Sequence, residues 1–276
     1  RRTRNYETNR KPLDDEKLPG LYEIAEACMI TIKSQREIEL MRTAGRVVAE
    51  VLHVLEQAVR PGITTAELDK IAEKHIRKAN CQPAFLGYQG FPASICASVN
   101  EEVVHGIPSL RKLKEGDIVS IDVGAVFQGY YGDAAATFPV GEIDEESLRL
   151  IDVTRDSLYR GIAMARSGNR LTDISHAVQE YVEQHGFSVV RDYVGHGIGN
   201  QMHEEPQVPN FGKPGRGPRL QAGMALAIEP MVNSGTWRVE TLQDNWTVVT
   251  LDRKRSAHFE HTVIITDGEP VITTAL

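Results

Sequence analysis

From Ser34 onward the apolar residues fall into step. Ile38, Met41, Val48, Leu52, Leu55 and Val59 recur at three- and four-residue spacings, which predicts one buried face of a long helix. Ser34 followed by Glu37 reads as a capping box opening that helix, and Pro61-Gly62 ends it. Thr64 and Glu67 form a second box, and Leu68, Ile71, Ala72, His75 and Ile76 predict a shorter helix behind it. The pattern then changes period. Residues 119–126 and 130–138 are rich in β-branched and aromatic side chains and read as two strands, with Gln128-Gly129 as the turn between them.

The helical pattern then returns. Leu148, Ile151, Leu158 and Ile162 predict another long helix, stopped near Ser167-Gly168. Ile174, Ala177, Val178, Tyr181 and Val182 predict a short one; they are the five positions from Leu68 to Ile76 displaced by 106 residues (68 to 174, 76 to 182), and Gly62 maps onto Gly168 by the same shift. Further on, Gly116-Asp117-Ile118-Val119-Ser120-Ile121-Asp122 resembles Gly223-Met224-Ala225-Leu226-Ala227-Ile228-Glu229, displaced by 107 residues (116 to 223), and this aligns Asp122 with Glu229. A repeat of this length is no solenoid. It predicts an α+β protein of two halves related by a pseudo-twofold axis, with acids from matching strands meeting at the junction.

Those acids are the candidate chemistry. Asp122, Asp133, Glu229 and Glu260 sit beside apolar, strand-like residues, and His196 lies in Gly195-His196-Gly197-Ile198-Gly199. A carboxylate in such a setting needs a partner or a cation to offset lost hydration. A turn centred between Phe127 and Gln128 places Asp122 directly opposite Asp133; a centre half a step later is expected to make them diagonal neighbours. Both registers are read as sharing one face, where bare carboxylates about 5 Å apart repel and a cation between them removes the conflict. Four carboxylates and one imidazole suit two divalent ions better than one. His53, His75, His176 and His185 read as helix-surface or capping residues.

Composition narrows the function classes. The chain has 276 residues, 41 % apolar and 25 % charged, as expected of a globular chain with a real core. A net charge of −7 (31 Lys+Arg against 38 Asp+Glu) argues against nucleic-acid binding and against an anionic membrane surface. No apolar run approaches the ~18 residues of a membrane span, and no secretory pattern opens the chain. The three cysteines, Cys28, Cys81 and Cys96, form no CxxC and read as free thiols of a cytoplasmic protein. Residues 1–28 are polar and of mixed charge, with Pro12, Pro19 and Gly20 as breakers; they read as an N-terminal extension or an expression-derived segment, ahead of a single catalytic domain over residues 29–276.

The motifs resemble one family. Ser98-Val99-Asn100-Glu101, His105-Gly106-Ile107-Pro108, Ile121-Asp122-Val123, Gly132-Asp133, Gly195-His196-Gly197-Ile198-Gly199, His203-Glu204-Glu205-Pro206, Ile228-Glu229-Pro230 and Glu260-His261-Thr262 occur in the order seen in type I methionine aminopeptidases. The resemblance runs from about Met29 to the C-terminus. It implies the pita-bread fold, two pseudo-symmetric α+β halves around a dinuclear metal site, and removal of the N-terminal methionine from nascent proteins and peptides whose second residue is small. Position by position, it makes Asp122, Asp133, His196, Glu229 and Glu260 the metal ligands, with Asp133 and Glu260 bridging, and His105 and His203 the histidines that contact substrate. It maps the methionine pocket to Phe85, Tyr88, Phe91, Cys96, Met202 and Trp246. The implied cofactors are two divalent ions per chain (Co, Mn, Fe or Zn). The implied partners are the peptide substrate and the ribosome, with the chain expected to be a monomer.

The chemistry is intelligible from the residues as well. A hydroxide bridging two Lewis-acidic ions is a nucleophile at neutral pH. Glu229 is placed to relay its proton, His203 to hydrogen-bond the developing oxyanion, and His105 to hold the scissile amide nitrogen.

Rival readings fit less well. The glycine-rich run around His196 lacks the GxGxxG spacing and is followed by Pro206 and Pro209; His203-Glu204-Glu205-Pro206-Gln207 is not HExxH. A proline-directed aminopeptidase or dipeptidase of the same fold is expected to carry an extra N-terminal domain, and the type II methionine aminopeptidases an inserted helical subdomain for which the span from His203 to Glu229 leaves little space. A non-catalytic binding protein on this fold would have lost metal ligands, and all five are present.

Overall fold

A computed structural model describes residues 30–276; the reading of residues 1–28, with Cys28, lies outside them. Helix α1 (Gln35–Ala58) opens on the Ser34/Glu37 capping box, and α2 (Thr65–Lys78) on the Thr64/Glu67 box. After β1 (Gln82–Pro83) come β2 (Ile95–Val99) and β3 (Glu102–Val104), then the long hairpin of β4 (Ile118–Phe127) and β5 (Tyr130–Pro139). β4 lies between β1 and β2, with β5 also paired to it, all antiparallel. α1 lies on this hairpin at glycine-to-glycine distance: a Cβ on Gly132 of β5 would come within 2.6 Å of the Gly45 nitrogen.

The second half repeats the plan. Helices α3 (Glu145–Met164) and α4 (Leu171–Gln184) precede a sheet in which β9 (Ala225–Ile228) is flanked by β7 (Gly195–Gly197) and β14 (His261–Ile264), with β8 (Glu204–Val208) and β15 (Val271–Ile272) at its edges. Two smaller three-stranded sheets complete the architecture, β6 (Ser188–Val189) with β10 (Met231–Asn233) and β13 (Ser256–His258), and β3 with β12 (Val248–Thr250) and β11 (Val239–Thr241).

The repeat extends to individual hydrogen bonds. Gly62 N donates to Leu113 O at 2.8 Å, and Gly168 N to Leu220 O at 2.9 Å. Both glycines have left-handed backbones, φ 90° and 95°, so the turn ending each long helix needs a residue without a Cβ. Glu67 accepts from Thr64 N and Asp173 from Arg170 N, each at 2.8 Å, so half of the capping box persists in the second copy. Each half also has its own core, Val48, Leu55, Leu68, Ile76, Val119 and Ile121 in one and Leu158, Ile162, Ile174, Leu226, Ile228 and Val263 in the other. Leu148 departs from the expected buried face. It sits in the first turn of α3 and is 50 % exposed, while its neighbours Ser147 and Leu150 take the buried positions.

The hairpin register corrects one expectation. Gly124 faces Asp133 and Asp122 faces Ala135, so the turn centres between Gln128 and Gly129. That is a full residue beyond the directly opposed register, not half a step. A half step would send the two carboxylates to opposite faces; the full step keeps them on one face as diagonal neighbours.

Candidate active site

The halves join where β5 meets the segment between β13 and β14. Glu260 N donates to Ala135 O at 2.9 Å and Ala135 N to Glu260 O at 3.3 Å. This pairing brings Glu260 beside Asp133 of the first half, and β9 delivers Glu229 directly past its last residue. His196 stands opposite Ala227 in the neighbouring strand β7. Two sheets, one from each half, thus bring Asp133, His196, Glu229 and Glu260 together at the junction. The donor atoms of Asp133, His196 and Glu260 lie within 4.8 Å of one another, as do those of Glu229, His258 and Glu260. Glu260 belongs to both groups. Asp122 belongs to neither, yet its charge acts on Asp133, His258 and Glu260.

These groups are deeply buried: Asp133 is 3 %, Glu260 2 % and His196 8 % exposed. Desolvation pushes Asp122 up to about 7 and Glu229 to about 8. Asp133 and Glu260 rise well above the carboxylate range, first by burial and then by repulsion from the neighbouring acids. Asp122 Oδ1, Asp133 Oδ1, Glu260 Oε1 and His258 Nε2 have no hydrogen-bond partner. A buried carboxylate cluster with orphaned oxygens and no cationic side chain among its members is a poor structural device and a good cation site. His196 donates from Nδ1 to Gly197 O at 2.8 Å, which leaves Nε2 free to ligate. Burial holds that ring neutral, lowering it to about 3. The donor set of carboxylate oxygens and imidazole therefore fits divalent metal.

The two histidines expected to contact substrate flank this cluster. His203 packs against His196 with ring centroids 4.3 Å apart and planes tilted by 55°, and its Nδ1 lies 2.7 Å from the Tyr88 hydroxyl. When that hydroxyl donates to Nδ1, the proton of His203 sits on Nε2. His105 holds a left-handed backbone, φ 60°, a conformation that costs energy in a non-glycine residue and clusters at functional sites. Burial lowers its imidazole to about 4, so it stays neutral. Its ring meets Tyr193 and Trp246 edge-on at 5.6 and 6.3 Å.

The six expected pocket residues form one apolar cluster. Phe85, Phe91, Cys96 and Met202 are buried, and Tyr88 and Trp246 pack against them. Phe91 and Trp246 meet edge to face at 5.0 Å. Cys96 faces Asp122 across the strand pair, so the pocket wall and the acid cluster share one ladder. Cys81 and Cys96 are free thiols. His53, His75 and His185 lie outside the site: His53 and His75 face Glu56 and Glu50 on helix surfaces, and His185 contacts the Tyr181 carbonyl at the end of α4.

Two features escaped the sequence reading. Lys33 and Glu204 form a buried ion pair at 2.5 Å, with the Thr31 hydroxyl donating to the same carboxylate at 2.7 Å. This ties the residue beside His203 to the segment before α1, and no local spacing announces a contact 171 residues long. His258 is the other. Its two-residue offset from Glu260 was a readable signal, because period-two alternation puts both on one face.

Residues 39–267 match the profile of metallopeptidase family M24. The chain is 60 % identical to a methionine aminopeptidase of Clostridium acetobutylicum over 89 % of this chain and 99 % of that protein. It superposes on the crystal structure of a Thermotoga maritima methionine aminopeptidase with TM-score 0.89 and 52 % identity, covering 90 % of this chain and 100 % of that one. A prolidase from Pyrococcus furiosus shares the fold, with TM-score 0.71 at 20 % identity over 91 % of this chain and 67 % of that one.

Proposed function

The chain belongs to metallopeptidase family M24, and we infer that it is a methionine aminopeptidase, a metal-dependent hydrolase that removes the N-terminal methionine from proteins and peptides with a small second residue. The observation that carries this reading is the shared ladder: an apolar pocket sized by Phe85, Phe91, Met202 and Trp246 opens beside the carboxylate–imidazole cluster through Cys96 and Asp122.

When bound, two divalent ions (Co, Mn, Fe or Zn) would supply the Lewis acidity that ionises water near neutral pH and polarises the scissile carbonyl. Asp122, Asp133, His196, Glu229 and Glu260 would hold them, with Asp133 and Glu260 available to both. Glu229 accepts the proton of the attacking water and passes it to the leaving amine. With the Tyr88 hydroxyl 2.7 Å away donating to Nδ1, His203 presents Nε2–H to the oxyanion. His105, kept neutral by burial, accepts from the scissile N–H. The unbranched thioether fills the apolar pocket through polarisable contacts. The free N-terminal amine lies against the acids, so a blocked terminus has no place there.

Residues 29–276 act as one catalytic domain, as a monomer in the cytoplasm on chains emerging from the ribosome. No helix among the described residues is long and apolar enough to cross a membrane. The proline-directed alternative is not favoured, because identity to prolidase is 20 % against 60 % to methionine aminopeptidase.

A peptide panel varied at its first two positions tests the reading. Met-Gly and Met-Ala peptides are cleaved and a chelator stops the reaction. Norleucine-first peptides are cleaved more slowly, because a small change in a hydrophobic side chain costs ~1–3 kcal/mol. Efficient cleavage of Lys-first or acetylated peptides, or a requirement for Pro second, contradicts it.

A further inference from the structure

His258 is 1 % exposed, ends β13, and leaves its Nε2 without a hydrogen-bond partner. That atom lies 3.7 Å from Glu229 Oε2 and 4.0 Å from Glu260 Oε2. Both separations exceed hydrogen-bond range. They match the other imidazole of the cluster, since His196 Nε2 lies 3.7 Å from Glu229 Oε1 and 4.0 Å from Asp133 Oδ2. Donors bound to one ion at about 2.0–2.2 Å stand at most roughly 4.4 Å apart. Both rings therefore stand from their carboxylates at the spacing of donors around a shared cation.

The pseudo-twofold axis gives an independent argument. The Thr137 hydroxyl donates to His258 O at 2.9 Å and accepts from His258 N at 2.9 Å. The Thr262 hydroxyl donates to Asp133 O at 2.8 Å and accepts from Asp133 N at 3.1 Å. The two arrangements correspond by one displacement, 133 to 258 and 137 to 262. His258 thus occupies in the second half the place that Asp133 occupies in the first.

We propose that His258 is a sixth donor of the metal centre, its Nε2 binding a divalent ion together with Glu229 and Glu260, while His196 serves the other ion with Asp133 and Glu260. Each ion then has one imidazole, which favours nitrogen-accepting metals such as Zn, Co or Fe over Mg or Ca. The inference rests on the two-ion reading above.

The test uses the full chain stripped by chelator and titrated with cobalt(II), read by calorimetry and by proton NMR of the paramagnetic protein. The wild type is expected to bind two equivalents and to show two strongly shifted, exchangeable imidazole N–H resonances. His258→Gln is expected to lose one of these resonances and to bind its second equivalent about 10²-fold more weakly or worse. An outer partner of the metal would change affinity by a comparable ~10–100-fold, so the resonance count is the deciding readout. Two equivalents with a single such resonance in the wild type, unchanged in His258→Gln and His258→Ala, overturns the proposal and leaves the two-ion reading standing. A wild type that binds no cobalt overturns both. The wild-type count decides the matter even where a variant fails to fold.

Discussion

The two halves of the molecule share a scaffold and divide the chemistry. Gly62 and Gly168 make the same turn, and the two helix pairs repeat, each ahead of the strand that leads to the junction, β4 in one half and β9 in the other. What stands at equivalent positions differs. Asp122 aligns with Glu229 and Asp133 with His258, so the first half offers the two shorter acids and the second the two longer acids, Glu229 and Glu260, and both imidazoles. The first half also carries most of the apolar cluster, Phe85, Tyr88, Phe91 and Cys96, while the second contributes Met202, Trp246 and His203, which meets the Tyr88 hydroxyl. A duplicated frame conserves backbone geometry, because caps, turns and register admit few solutions. Its side chains at the seam are free to diverge into complementary roles.

Removing a ligand at the seam is the strongest way to break that division. Asp133→Ala should abolish binding of both ions and lower activity by on the order of 10³-fold or more. Full metal occupancy by elemental analysis in this variant would show that the ions, if bound, do not share Asp133.

Removing a second-half group that holds no metal should separate chemistry from binding. His203→Ala should lower kcat by roughly 10²–10³ with metal content intact. A parallel loss of metal would make His203 a ligand instead.

The acids of both halves also predict a pH response. Above about pH 7.5 the buried histidines are almost wholly neutral in folded and unfolded chains alike, so carboxylates govern. Asp122 at about 7 and Glu229 at about 8 hold protons in the folded, metal-free protein that the unfolded chain has already released. The folded state then binds more protons, and stability must fall as pH rises through this window. Chelated protein should melt progressively lower from about pH 7.5 to 9, and saturating divalent metal should reverse the trend. A melting temperature that rises over that range without metal contradicts the buried, uncompensated carboxylates.

The smallest effect compares the long helices. A Cβ on Gly45 of α1 would meet the Thr273 carbonyl oxygen at 2.3 Å, whereas on Gly161 of α3 it would meet the Val178 Cγ2 at 2.8 Å. Backbone cannot yield as a side chain can. Gly45→Ala should cost about 1–3 kcal/mol, while Gly161→Ala should stay within about 1 kcal/mol of wild type, its crowding offset by helix propensity. Equal denaturation midpoints for the two would remove this asymmetry.

Much of this architecture is legible in the sequence. Capping boxes and helix faces are local signals, and Ser34, Glu37, Thr64 and Glu67 do what their spacing implies. The repeat was legible because caps and strand cores recur at fixed displacement. The hairpin register was not, since Gln128-Gly129 admits several turn centres and only packing on α1 selects one. Leu148 misled because periodicity does not say where along a helix burial begins. Lys33 could not be found, because its partner Glu204 is remote in sequence and the pair forms only when the segment before α1 meets the β7–β8 edge. His258 was readable by alternation from Glu260, and its equivalence to Asp133 emerged only from the Thr137 and Thr262 hydrogen bonds.

The central claim is that the seam between the halves is a metal centre serving a methionine pocket. Its most direct test is methionine release from a Met-Ala peptide by chelator-stripped protein as divalent metal is added back. Release should be absent without metal and rise with the bound equivalents. Undiminished release by metal-free protein, or saturating metal without release, contradicts the account.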